Sequence, residues 1–253
     1  MSGRSINASL GSLSTRAGTS QFLIHFMNET LSQHPMNSSP SSSCKLVWIT
    51  PGAEEMIAYL ARVSNPSGQN NSETAPKLIR YLIKHKHWSP FEMASICVEI
   101  NTTRAISAQI LRHRSMKFQE FSQRYADVGS LGTASLPHLR RQDSKNRQNS
   151  IDDLKPTLIS EYYRRISSLY EESQHLYQEM VSNGVAKECA REILPLGSPT
   201  RLYMKGDIRS FLHYTAIRSG PETQLEHRKI ALEIRDILKH EIPVVYEAFF
   251  CEG

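Results

Sequence analysis

Cysteine is scarce in this sequence and poorly placed for cross-linking. Four cysteines (Cys44, Cys97, Cys189 and Cys251) are scattered through 253 residues without a Cys-x-x-Cys pair. That spacing argues against a disulfide scaffold or a zinc knuckle and favours reduced thiols. No apolar run approaches the roughly 20 residues needed to cross a bilayer, so a soluble, cytoplasmic protein is expected. No Gly-x-Gly-x-x-Gly follows a strand-like segment, which removes the Rossmann route to a dinucleotide. Internal repeats are not evident. Acidic residues are nearly missing from the first 43 positions, where Glu29 stands alone.

What is present is an ordinary globular mixture, 39% hydrophobic and 22% charged, with a formal net charge of +5. A chain of this length can bury a sizeable core as one large domain or two small ones. The positive surplus suits anionic ligands, nucleic acids included, without choosing among them. Residues 1–43 are Ser-rich, with a linker-like tract from Ser38 to Ser43 interrupted upstream by the apolar patch Phe22 to Met27. Two readings compete there: an organelle transit peptide, or a disordered extension. Only Arg4 and Arg16 supply early positive charge, which favours the extension and leaves 44–253 as the folded part.

Periodicity then predicts the elements. Lys45 to Thr50 reads as a strand ending at Pro51-Gly52. Ala53 to Val63 reads as a helix with Met56, Ile57, Leu60 and Val63 inward, and Pro76 starts a second with Leu78, Ile79, Leu82 and Ile83 inward. Met93 to Ile100 alternates like a strand, and a helix from Thr103 turns Ile106, Ile110 and Leu111 inward. Val128 to Leu154 is polar and irregular, a solvated excursion or a functional loop. Pro156 opens a long helix carrying Ile159, Tyr163, Ile166, Tyr170, Leu176 and Met180, closed by Asn183-Gly184. Asp207 is placed to cap a helix running to Arg218, and Pro221 starts the last helix. The order gives an α+β domain with a small, mostly antiparallel sheet and long helices.

One segment concentrates chemistry. Arg112 to Tyr125 holds four Arg or Lys, one His, one carboxylate and two Ser within fourteen residues, with Phe118, Phe121 and Tyr125 among them. Arginine forks donate paired hydrogen bonds to phosphate, so the segment could cradle a phosphorylated, flat-ringed ligand. A basic helix end followed by a loop, with no ligand, explains it equally well. A nucleic-acid-binding surface is a third reading, although no recognised nucleic-acid motif supports it.

Arg112-His113-Arg114, followed by seven residues and Ser122, resembles the signature of the flavin-dependent thymidylate synthases, extended by Glu120, Arg124 and Tyr125. Three further blocks resemble that family in the same order: His85 to Glu92, Glu188 to Leu196 and Arg218 to Glu226. The resemblance spans about 45–250. It implies conversion of dUMP to dTMP with methylenetetrahydrofolate as one-carbon donor, bound FAD as hydride source and NADPH as reductant. It also implies a homotetramer whose active sites are shared between subunits. No cysteine nucleophile is required.

The same resemblance implies residue roles. Arg218 is the catalytic cation at the pyrimidine. dUMP contacts fall on Gln109, Ile110, Leu111, Arg112, Glu120, Phe121, Ser122, Gln123, Arg124, Arg191 and Arg218. FAD contacts fall on Ser89, Arg112, His113, Arg114, Glu120, Asp207, Ile208, Arg209 and His213. Bland alternatives stand beside these: Arg218 as a helix-dipole partner, and Arg191 in a surface ion pair with Glu188. Ser122 lacks a base oriented by an acid and is read as a binding residue. A metal at His85 and His87 is not expected without a third ligand. The sequence departs from the family pattern at Lys117, Phe121, Asp207, His213 and Glu222, which bears on the detailed FAD contacts.

Overall fold

Nine-residue strands at the centre of an antiparallel sheet carry the architecture. The computed structural model describes residues 42–252, so the expectations for 1–41 lie outside the described residues. Strand β1 (Ser43–Ile49) leads through the left-handed Gly52 (φ 59°) into helix α1 (Ala53–Ala61), and α2 (Ala75–Lys84) follows with Pro76 in its first turn. Then come β2 (Ser95–Thr103), α3 (Arg104–Ile110) and the short strand β3 (Lys117–Glu120). A two-stranded ribbon, β4 (Arg141–Gln142) with β5 (Ser150–Ile151), precedes the 27-residue helix α4 (Pro156–Ser182) and the short α5 (Lys187–Ala190). The chain closes with β6 (Pro199–Asp207), α6 (Ile208–Arg218), α7 (Leu225–Glu241) and α8 (Pro243–Phe250).

The main sheet runs β1-β2-β6-β3, antiparallel throughout. Its pleat sorts the side chains. Ile96, Val98 and Ile100 of β2 lie opposite Gly206, Met204 and Leu202 of β6, and all are buried. Against this face pack Ile57, Ile79, Ile106, Phe211, Ile230 and Ile234 from five helices. Each such side chain contributes about 1.5–3 kcal/mol of burial free energy. Gly206 is required because a Cβ there would collide with Met116 Sδ. Met116 is thereby seated in the core, two residues after the Arg-His-Arg triplet.

The opposite face is polar. Glu99 is buried there, held by the Tyr203 hydroxyl at 2.8 Å, Asn101 at 3.2 Å and Lys45 at 3.3 Å. Burial opposes its charge, but the Tyr203 bond and the Lys45 and Arg201 cations hold its pKa below the ordinary range.

Several expectations need correction. β3 and β6 lie where no strand was expected, and β6 is the strand that joins β2 to β3. Met56, Val63, Leu111 and Leu176 are exposed rather than inward, while Tyr177 is the buried residue of α4. The helix after Arg218 begins at Leu225, four residues beyond Pro221, and α8 follows it. The stretch from Val128 to Leu154 is mostly irregular but contains the β4–β5 ribbon. Among the described residues, no helix is long and apolar enough to cross a membrane.

Candidate active site

Helix α3 ends at Ile110, and the Arg112-His113-Arg114 triplet turns away from it towards β3. His113 N–H bonds to the Ile110 carbonyl at 3.1 Å, and Met116 N–H bonds to the His113 carbonyl at 3.1 Å. This turn brings His113 against α6. The Arg218 Nε–H donates to His113 Nε2 at 2.9 Å. A guanidinium is always protonated, so Nε2 holds a lone pair and the imidazole is the neutral Nδ1–H tautomer. Burial, then the Arg218 cation, then His213 lower the His113 pKa to about 4. The Tyr214 ring stands edge-on to His113 with centroids 4.8 Å apart.

Tyr214 is buried, and its hydroxyl meets His227 Nε2 at 3.0 Å. His227 Nδ1 lies 3.3 Å from Gln109 Oε1. Gln109, His113 and Arg218, picked out separately in the sequence, therefore form one cluster through Tyr214 and His227. Neither linker drew attention beforehand. Their significance depends on three segments meeting in space, and no spacing rule reports that.

Apart from this cluster, a cleft of ≈ 650 Å³ is lined by Trp88, Glu92, Ser115, Asp207, Arg209, Ser210, His213 and Phe249. Asp207 caps α6 by accepting from Ser210 N–H at 2.7 Å. Arg209 is paired with Glu92, and Trp88 packs edge-on to Phe249. Three of the residues assigned to flavin, Asp207, Arg209 and His213, share this cleft. Ser89 follows Trp88 in a short turn, whereas Ile208 is fully buried in the core. A lining of this kind, a cation and hydrogen-bonding side chains together with two aromatic rings, suits a diphosphate attached to flat ring systems.

A smaller cleft of ≈ 320 Å³ lies among Ser122, Arg124, Tyr125, Ala186, Lys187 and Glu188. Glu188 is paired with Arg124 at 3.1 Å, not with Arg191, whose Nε–H instead reaches the Glu188 carbonyl at 3.3 Å. The alternative reading of Arg191, a surface ion pair with Glu188, is not what the structure contains. Arg112 and Arg114 are exposed, Ile110 is buried and Leu111 is exposed. Phe121 is half-buried, and Gln123 is buried with its Nε2 unpartnered.

Glu120 turns into the core side of the sheet, where its Oε1 accepts from Arg104 at 3.0 Å, Ser107 at 2.7 Å and Thr200 at 2.9 Å. Ser122 is exposed, and the imidazole of His113, nine positions earlier in the sequence, is engaged by Arg218. Among the described residues, no group of three or more His, Cys, Asp or Glu is arranged to hold a metal ion.

Residues 45–244 match the family model described as thymidylate synthase complementing protein. The chain belongs to the flavin-dependent thymidylate synthase family. It is 48% identical over 196 residues to a probable flavin-dependent thymidylate synthase of Paramecium bursaria Chlorella virus 1, covering 78% of this chain and 90% of that protein. It is also 48% identical over 195 residues to the flavin-dependent thymidylate synthase of Synechocystis sp., covering 77% and 88%. The fold is similar to that of the UMP/dUMP methylase PolB from Streptomyces cacaoi bound with 5-Br dUMP. There the TM-score is 0.74 at 25% identity, over 83% of this chain and 95% of that one. Members of the family are enzymes, and the Arg218 cluster and the clefts at Asp207 and Ser122 are where this member's family motifs lie.

Proposed function

We propose that this enzyme reductively methylates dUMP to dTMP, with methylenetetrahydrofolate as one-carbon donor and NADPH-reduced FAD as hydride source. The observation that carries the reading is Arg218 locked to His113 at 2.9 Å. Electrophilic attack at uracil C5 is easier when negative charge on the N3–C2–O2 edge is stabilised. A guanidinium held beforehand by a neutral acceptor provides that without reorganisation at the moment of reaction. The Nη groups of Arg218 are the ones offered to the pyrimidine, because Nε–H is already used.

FAD, when bound, supplies the hydride. Arg209, Asp207, His213 and Ser89 would hold it, with Arg112 and Arg114 neutralising its diphosphate. Arg112, Arg124, Arg191, Ser122, Gln109 and Gln123 would hold dUMP. The unpartnered amide nitrogen of Gln123 supports a ligand role for that residue.

Within one chain the cleft at Ser122 and the cleft at Asp207 are separate. A homotetramer in which one subunit's cleft completes another's fits this division. Exposed Tyr162, Leu169 and Leu176 recur every seven residues on α4 and support helix packing between subunits.

The test is the visible spectrum of the purified protein, followed by tritium release from labelled dUMP. A yellow protein whose release requires folate and NADPH is expected. Colourless protein that stays inactive after FAD addition overturns the reading. In the same assay Arg112→Ala should weaken both nucleotide and flavin. A second reading, a flavoprotein acting on another pyrimidine nucleotide, is favoured by the fold shared with the Streptomyces enzyme, a methylase of UMP as well as dUMP. Competition between dUMP and UMP separates the two.

A further inference from the structure

A hydrogen-bond chain runs from the long loop to the buried end of α6, and each of its links has only one possible direction. Arg140, whose side chain is 11% exposed, gives Nη1–H to Glu226 Oε1 at 2.8 Å and Nη2–H to Oε2 at 3.1 Å. Burial works against the Glu226 charge, but the Arg140 bonds outweigh it and hold the carboxyl below its usual pKa. Ionised, Glu226 can only accept. Gln224 must then turn its Nε2 to Glu226 Oε2, at 2.9 Å, which leaves Gln224 Oε1 to accept from Gln109 Nε2 at 2.7 Å.

Gln109 Oε1 consequently faces His227 Nδ1, at 3.3 Å. An amide oxygen cannot donate, so Nδ1 carries the proton. Burial, with Arg218 and His113 nearby, lowers the His227 pKa to about 4 and keeps the ring neutral. Its Nε2 is therefore an acceptor, and the Tyr214 hydroxyl donates to it at 3.0 Å. Reversing Gln224 would set its oxygen against Glu226 Oε2, and reversing Gln109 would set its oxygen against Gln224 Oε1.

We propose that His227 and Arg140 are positioning residues that fix the Gln109 amide from opposite ends, so that its second N–H is offered to an acceptor oxygen of the nucleotide. The assignment rests on the reading of this chain as a dUMP-binding enzyme. His227 is completely buried and acts through Gln109, not on the ligand. Arg140 does so from the loop before α4, which gives that loop a role at the site although its sequence is irregular.

The experiment measures dUMP affinity by calorimetry on the flavin-loaded full-length protein, with kcat, KM and melting temperature alongside. In His227→Asn the amide nitrogen takes roughly the place of Nδ1 and keeps the donor to Gln109. In His227→Gln it takes the place of Nε2 and cannot. Both variants lose the packed ring and should melt lower by similar amounts. The positioning role predicts that His227→Asn keeps dUMP affinity within about threefold, while His227→Gln loses about tenfold or more.

Glu226→Gln, which can donate as well as accept, frees both amides to turn and should raise KM about tenfold with kcat little changed. This variant also decides the matter should His227→Gln not fold. Equal affinity losses in the two His227 variants, or an unchanged KM in Glu226→Gln, overturn the assignment. Wild-type protein that does not bind dUMP would instead overturn the functional reading beneath it.

Discussion

Arg218 and His113, 105 positions apart in the chain, share a hydrogen bond of 2.9 Å from guanidinium Nε to imidazole Nε2. The bond joins the last residue of α6 to the middle of the Arg-His-Arg motif. A positive helix-end residue would ordinarily be spent on its own C-terminal carbonyls. Here the plane of the guanidinium is set by a residue from another segment, which is what a preorganised cation needs.

Replacing Arg218 by Ala should lower kcat for methylation by about a hundredfold or more. Flavin retention should be largely spared, because the cleft at Asp207 and Arg209 does not include this residue. Arg218→Lys keeps charge but not the planar fork and should recover little. Turnover close to wild type in Arg218→Ala would reject the electrostatic role; tritium release and the flavin-to-protein absorbance ratio provide the two readings.

Glu120 binds three donors through one oxygen, and two of them, Ser107 and Thr200, are buried. Glu120→Ala should therefore cost about 2–3 kcal/mol of folding stability, chiefly by stranding those hydroxyls. Urea unfolding of the ligand-free protein measures it. An unchanged midpoint alongside weakened ligand binding would mean that Glu120 serves the ligands and not the fold.

His113 and His227 are both neutral in the folded protein, with pKa values lowered to about 4 by burial and by Arg218. An unfolded histidine titrates near 6.5. The unfolded chain therefore takes up protons first, and the stability these rings contribute is intact above about pH 6.5 and is lost as pH falls towards 4. Denaturation midpoints between pH 7.5 and pH 4.5 should decline, and His227→Asn should remove about one proton from the slope. Identical slopes in the two proteins would show that His227 is not among the groups responsible.

Gly197 lets the long loop dock. A Cβ there would approach the Ser135 carbonyl to 2.8 Å and the Tyr170 hydroxyl to 2.9 Å. Ser135 N–H also bonds to the Gly197 carbonyl at 3.0 Å. Gly197→Ala should destabilise by about 1–3 kcal/mol through overpacking against backbone. Limited proteolysis should show faster cutting between Gly132 and Leu154; equal cutting in mutant and wild type would mean the loop is held elsewhere.

Local signals were legible where they were self-contained. Pro76, Pro156 and the Asp207 cap marked helix starts that the structure contains. The alternation in β6 was missed because Arg201 and Lys205 occupy its outer face, diluting the apolar positions Leu202 and Met204. β3 hid inside a motif whose charges suggested a loop. Pro243, where no helix start was expected, is the first residue of α8, whose Val245 N–H is capped by Glu54 at 2.8 Å from far away in sequence. At the site, Arg218 and His113 were visible through their motifs. His227 and Arg140 were not, and Gln224 lay inside the Arg218 to Glu226 block without a role of its own, since each is ordinary until its neighbours are known.

The two outermost strands of the main sheet are both unsuited to recruiting another strand. β1 breaks register between Leu46 and Trp48, and β3 is only four residues long, with Lys117 at its start. Such irregular or abbreviated borders deter edge-to-edge association. They disfavour contact between copies of this chain by extension of the hydrogen-bonded ladder, and with it open-ended growth of the sheet.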